Sequence, residues 1–171
     1  EELRAKGQVF AEDCKLGIMV EVPSMALMSD LFASEVDLLS LGTNDLTQYT
    51  LAVDRGTSKV AGLYDPFHPA VLRLVKMVAD NGRRAGTPVS ICGEMAGDPL
   101  ATVLLLGLGL ESLSLSPGLI PEVKEVIRAI SAAEAQNIAA ACLEMRTGDE
   151  VRHHLEGAIG EYLPFWHHGH H

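Results

Sequence analysis

The chain has 171 residues, 47% of them hydrophobic, and carries a formal net charge of -10 at pH 7. This is enough to bury a real core, as one domain or as a piece of a larger one. The acidic balance argues against nucleic acid as partner, because phosphate backbones call for clustered Lys and Arg.

The amino terminus, Glu1-Glu2-Leu3-Arg4, is charged and helix-like, unlike a signal peptide. There is no initiator methionine, so a fragment, a processed product or an expression product is expected. The longest apolar stretch, Ala101 to Leu110, is short and broken by glycine, so no membrane span is expected. Three widely spaced cysteines, Cys14, Cys92 and Cys142, suggest neither a disulfide framework nor a zinc site, and a reduced, cytoplasmic setting is the simpler reading.

Apolar runs of strand length recur at Leu16–Val22, Leu38–Leu41, Val89–Cys92 and Leu113–Leu115. Helices are expected between them. Pro23-Ser24 precedes one over Met25–Phe32. His68-Pro69 opens another through Ala85, with Val71, Leu72, Val75 and Val78 on one face. Asp98-Pro99 is a cap with proline in the first turn, ahead of Ala101–Leu110, and Pro121 starts Glu122–Ile130. Strands alternating with helices, with continuous rather than alternating apolar residues, predict a parallel sheet of four βα units. The remainder is helical, since Ser131-Ala132-Ala133-Glu134 and Thr147-Gly148-Asp149-Glu150 both fit a capping box. No linker or second domain is evident, and the histidine-rich stretch at 161–171 reads as a disordered or tag-like tail.

Chemistry-bearing residues follow the strands. Glu21 closes the first, Asn44 and Asp45 follow the second, Cys92 closes the third, and Ser114 and Ser116 end the fourth. In a parallel βα architecture those ends share one face, so distant residues converge there. Glu21 and Asp45 are hard oxygen donors suited to Mg²⁺; each alone reads as a helix cap, and the pair, at matching positions of consecutive units, favours metal. Asn44 caps a helix or orients a ligand oxygen. Cys92, beside Gly93, is a small buried hydrophobe or a thiol available for chemistry. Arg55 is a solvated charge or an anion-binding arginine. Arg83 and Arg84 read as a solvated helix end, His68 as structural, and Cys14 and Cys142 as packing residues.

These segments carry a resemblance. G-T-N-D-L-T-Q at Gly42–Gln48 is similar to the phosphoenolpyruvate-utilising enzymes, including pyruvate phosphate dikinase and phosphoenolpyruvate synthase. A-V-D-R-G at Ala52–Gly56 and C-G-E-M-A-G-D at Cys92–Asp98 resemble more narrowly enzyme I of the bacterial sugar phosphotransferase system, the phosphoenolpyruvate–protein phosphotransferase family. G-I-M-V-E-V-P at Gly17–Pro23 and G-L-G-L-E-S-L-S-L-S at Gly107–Ser116 extend the match to about Ile130.

The resemblance implies the second half of a (β/α)₈ TIM-type barrel over residues 1–130, followed by C-terminal helices over 131–160. It implies Mg²⁺ held by Glu21 and Asp45, phosphoenolpyruvate contacted by Asn44, Asp45 and Arg55, and Cys92 as the acid that protonates the enolate carbon to give pyruvate. The phosphoryl group would pass to a histidine on a separate amino-terminal domain, and then to the histidine-containing phosphocarrier protein. No G-G-x-T-S-H segment for that histidine occurs here. The chain alone is therefore expected to be inactive, and a homodimer is expected because the resembling domain dimerises. Two other readings stay open: a non-catalytic binding or dimerisation half-barrel, and, less favoured by the two narrower motifs, a piece of a dikinase or synthase.

Overall fold

The computed structural model describes residues 1–162; the histidine-rich stretch beyond Tyr162 lies outside the described residues. In chain order the elements are α1 (Glu2–Ala5), β1 (Gly17–Val20), α2 (Pro23–Leu27), α3 (Ser29–Phe32), β2 (Leu38–Gly42), α4 (Thr43–Leu51), α5 (Pro69–Ala85), β3 (Val89–Cys92), α6 (Pro99–Gly107), β4 (Ser112–Leu113), α7 (Ile120–Ala129), α8 (Ala132–Glu144) and α9 (Gly148–Tyr162). The four strands form one sheet in the order β1-β2-β3-β4, and every pairing is parallel. Neighbours in space that are also neighbours in sequence arise when each crossover returns on the same side, as in a barrel. The sheet is part of an α/β barrel, followed by helices.

The core lies between the sheet and its helices. Val20, Leu39, Leu41 and Ile91 point outward from the strands and are buried against Val71, Leu72, Val75 and Val78 of α5 and Leu104 and Leu105 of α6. α8 crosses α6 at close range, because Gly107 has no side chain where a Cβ would overlap the Ala135 carbonyl. Ala135, Ala139 and Cys142 of α8 and Val151, Leu155 and Ile159 of α9 join the same core. α8 and α9 thus pack against the helices that cover the sheet.

Local signals act as the sequence predicts at several ends. The His68 ring nitrogen Nδ1 accepts from the Ala70 N–H at the start of α5, and the Asp98 carboxylate accepts from Leu100 at the start of α6. Ser131 and Glu134 form the full reciprocal box. The second box is altered: Thr147 Oγ1 accepts from the Glu150 N–H, but the Glu150 carboxylate accepts from Arg146 instead of reaching the cap residue.

Other expectations change. The helix expected over Met25–Phe32 is two short helices, because the Ser29 hydroxyl donates back to the Ala26 carbonyl and competes with the regular ladder. β1 and β4 are shorter than their apolar runs. Strand residues also alternate more than expected: Ser40, Ser90 and Ser112 interrupt the apolar runs. Cys14 is exposed and so is not a packing residue; its segment lies ahead of β1, outside the core. Cys142 is buried, and burial pushes its thiol up to about 11.

Candidate functional site

Parallel register sets the site. Met19, Ser40, Ser90 and Ser112 pair across the sheet in one row. Two residues further along, Gly42 pairs with Cys92, and the same register puts Glu21 beside Gly42 and Ser114 beside Cys92. Side chains along a strand alternate between faces, so both rows face away from the helices. The second row, Glu21–Gly42–Cys92–Ser114, lies at the carboxyl rim. Sequence reasoning brought Glu21, Cys92 and Ser114 to one end of the sheet; the register puts them on one line with Gly42.

Gly42 makes that line possible. A Cβ there would lie 3.0 Å from both Cβ and Oε2 of Glu21, so the Glu21 side chain lies across the glycine. Capping does not account for the carboxylates. α2 has Val22 at its cap position and α4 has Gly42, and neither start has a side-chain cap bond. Asp45 sits in the first turn of α4, where the helix dipole favours a negative charge. Glu21 and Asp45 are both half-buried.

Asn44 is not a cap either. Its Oδ1 accepts from the Glu94 N–H at 3.1 Å, tying the loop after β2 to the loop after β3. Gly93 permits this approach: it has φ +100°, and a Cβ would lie 2.5 Å from Thr43 Oγ1 and 3.0 Å from Asn44 Oδ1. Thr43 completes the tie by donating to the Cys92 carbonyl at 2.8 Å.

The Cys92 thiol is half-buried. It donates to the Leu41 carbonyl at 3.4 Å and receives the Ser40 hydroxyl at 3.9 Å from the row below. Arg55 extends from the segment after α4, with its N–H on Gln48 Oε1, and its guanidinium lies 3.7 Å from the Glu94 carboxylate. Arg55 is therefore not a free surface charge; it spans toward the loop after β3. Beside these groups opens a cleft of about 620 Å³, lined by Asn44, Glu94, Asp98, Ser114, Ser116 and Leu119 among others.

Sequence reasoning missed Ser40, Thr43, Tyr64 and Glu94. Tyr64 donates its hydroxyl to the Asn44 carbonyl at 3.3 Å, and burial pushes its phenol above the ordinary range. Glu94 was visible as the charge following a strand-end Cys-Gly. Ser40 was visible as a polar interruption in an apolar strand. Tyr64 had no signal, since its contact is made twenty residues away in sequence.

Among the described residues no three His, Cys, Asp or Glu side chains gather as a metal cage. Zn²⁺ would call for such a cage, whereas Mg²⁺ takes one or two carboxylates and fills its remaining positions with substrate oxygens and water. Glu21, just past β1, and Asp45, in the first turn of α4, offer carboxylate oxygens of the kind Mg²⁺ takes.

Residues 1–132 match the family described as "PEP-utilising enzyme, PEP-binding domain". The chain belongs to that family. It is 45% identical over 155 residues to a phosphoenolpyruvate-protein phosphotransferase of Haemophilus influenzae, covering 91% of this chain and 27% of that protein. It is 45% identical over 150 residues to the protein of that name from Buchnera aphidicola subsp. Schizaphis graminum, covering 88% and 26%. The Staphylococcus carnosus protein of that name is 46% identical over 149 residues, covering 87% and 26%. The chain spans about a quarter of the length of those relatives. No helix among the chain's described residues is long and apolar enough to cross a membrane.

Proposed function

We propose that this chain is the phosphoenolpyruvate- and Mg²⁺-binding part of a phosphoenolpyruvate–protein phosphotransferase, with residues 1–130 as the second half of its barrel and 131–160 as helices of the same domain. The observation that carries the reading is the rim row, in which Glu21 lies over Gly42 in line with Cys92.

Glu21 and Asp45 would hold Mg²⁺, which would supply positive charge to stabilise an anionic substrate. Asn44 and Asp45 orient phosphoenolpyruvate, and the Arg55 guanidinium leaves Glu94 to bind an anionic oxygen of it. The bond from phosphorus to the enol oxygen breaks, and the phosphoryl group passes to a histidine nitrogen on a domain outside this chain. The enolate left behind takes a proton at carbon from the Cys92 thiol, giving pyruvate; the thiolate regains its proton from water. Ser40 below and the Leu41 carbonyl beside it fix the thiol's direction.

The histidine-containing phosphocarrier protein is the next acceptor, and the parent works in the cytoplasm as a homodimer. No G-G-x-T-S-H segment for the acceptor histidine occurs among these 171 residues, so the binding and protonation steps are assigned to this chain and the phosphoryl transfer to the whole protein.

Isothermal titration of phosphoenolpyruvate with and without Mg²⁺ tests the reading. Mg²⁺-dependent binding that Asp45→Ala abolishes is expected. Binding that ignores both Mg²⁺ and Asp45→Ala would sink it. So would an absence of binding by a full-length phosphotransferase that carries this sequence.

A further inference from the structure

The segment between α4 and α5 carries Arg55 near its start and packs against α9 at its far end. The Asp65 carboxylate takes an ion pair from Arg152 of α9 and the Phe67 N–H at 3.0 Å. The Arg152 guanidinium stacks over the Phe67 ring, 4.8 Å from its centroid. Gly148, at the start of α9, is bare where a Cβ would overlap the Asp65 carboxylate. An acidic group, a stacked arginine and a glycine thus meet at one point, and both pairing side chains are half-buried.

From Asp65 an unbroken line of contacts runs into the site. Its neighbour Tyr64 donates to the Asn44 carbonyl, the Asn44 side chain holds the Glu94 N–H, and the Glu94 carboxylate pairs with Arg55. α9 itself is anchored independently, since Val151, Leu155 and Ile159 are buried in the core. It provides a fixed post, and the segment from Arg55 to Asp65 is tied to it.

We propose that Arg152, with Asp65, is a positioning residue for the substrate site: the clamp on α9 sets the placement of Asn44, Glu94 and Arg55. α9 lies beyond the residues that match the PEP-binding family, 1–132, so the clamp assigns a site-directed role to a helix outside that match. The substrate part of the inference rests on the phosphoenolpyruvate reading; the transmission of order from α9 to the rim does not.

Hydrogen exchange read by mass spectrometry on the full chain tests the transmission. Arg152→Gln, Asp65→Asn and Gly148→Ala each perturb the clamp from a different side. All are expected to speed exchange of the Glu94 amide and of the amides at 55–57 by about threefold or more, the size of a modest coupling energy. Arg73→Gln is the control. Arg73 donates to the Leu143 carbonyl and so ties α5 to α8 without touching the segment; it is expected to leave the Glu94 amide unchanged.

In protein that binds phosphoenolpyruvate, the clamp variants should weaken Mg²⁺-dependent affinity severalfold and Arg73→Gln should not. Faster exchange confined to 65–68 and α9, with the Glu94 amide unmoved in all three variants, overturns the proposal. An equal response to Arg73→Gln also overturns it, as that would report general loosening. Transmission to Glu94 in a chain that never binds phosphoenolpyruvate would support the clamp and remove the functional reading instead.

Discussion

The two faces of the sheet are built from the same strands and could hardly differ more. Toward the helices stand Val20, Leu39, Leu41 and Ile91, all buried. Away from them stand Met19, Ser40, Ser90 and Ser112, then Glu21, Gly42, Cys92 and Ser114. On this second side Met19 and Leu38 remain 44% and 38% exposed. A complete barrel usually fills its interior with bulky branched side chains. Here serine, glycine and the rim residues share the inward side with Met19 and Leu38, and the buried side chains of the strands lie toward the helices. Stability resides on the helix side, and the inner side is left for chemistry.

Substitutions in adjacent residues of one strand give the sharpest break in that comparison. Leu41→Ala removes a fully buried side chain from the helix side and is expected to cost about 2–5 kcal/mol of unfolding free energy. Ser40→Ala, one residue earlier and facing the other way, is expected to cost under about 0.5 kcal/mol while altering the surroundings of the Cys92 thiol. Urea titration of both variants checks this. Similar losses would show that the inner side carries core energy as well.

Gly42→Ala probes the rim. Its φ of -92° suits any residue, so backbone strain is not at issue. The added Cβ would press on the Glu21 side chain and on the Met19 methyl, each 3.0 Å away, a packing conflict of about 1–3 kcal/mol. Mg²⁺-dependent phosphoenolpyruvate affinity should fall by about tenfold or more, equivalent to about 1.4 kcal/mol. Affinity unchanged by the substitution would separate Glu21 from the metal.

The same division explains what could be read in advance. The strand positions were legible because the helix-facing half of each strand is apolar. The continuous apolar pattern expected of a parallel sheet was not found, since that pattern presumes cover on both faces and the inner rows carry serine. The rim residues were legible by their place after each strand, and Gly93 by its position in Cys-Gly-Glu. Contacts that cross between loops were not: the Asn44 amide holding Glu94, Tyr64 reaching Asn44 and Arg152 meeting Asp65 depend on how helices set their loops in space. The two-helix break at Met28 was hidden for a related reason, because Ser29 reads as an ordinary helix residue until Asn81 of α5 donates to its hydroxyl at 2.7 Å.

The smallest effect is expected where neither face contributes, in the rim turn from Asp54 to Thr57. Asp54 is fully exposed, and its carboxyl is held below the usual value of 3.8 by the Thr57 hydroxyl and, to a lesser extent, by the Gly56 N–H. A carboxyl lowered in the folded state stabilises the turn while ionised. That contribution is complete above the ordinary carboxylate value and is lost as pH falls through the lower folded value. The turn should therefore loosen only under acid conditions, below about pH 4, without touching the helix-side core. The Gly56 amide shift, followed by NMR between neutral and acid pH, should move with the carboxyl while the Ile91 and Leu104 amides stay fixed. Asp54→Asn should flatten the Gly56 response. A Gly56 response that persists in Asp54→Asn would assign the turn's pH dependence to another group. A coincident shift at Ile91 would show that the rim and the core are coupled rather than separate.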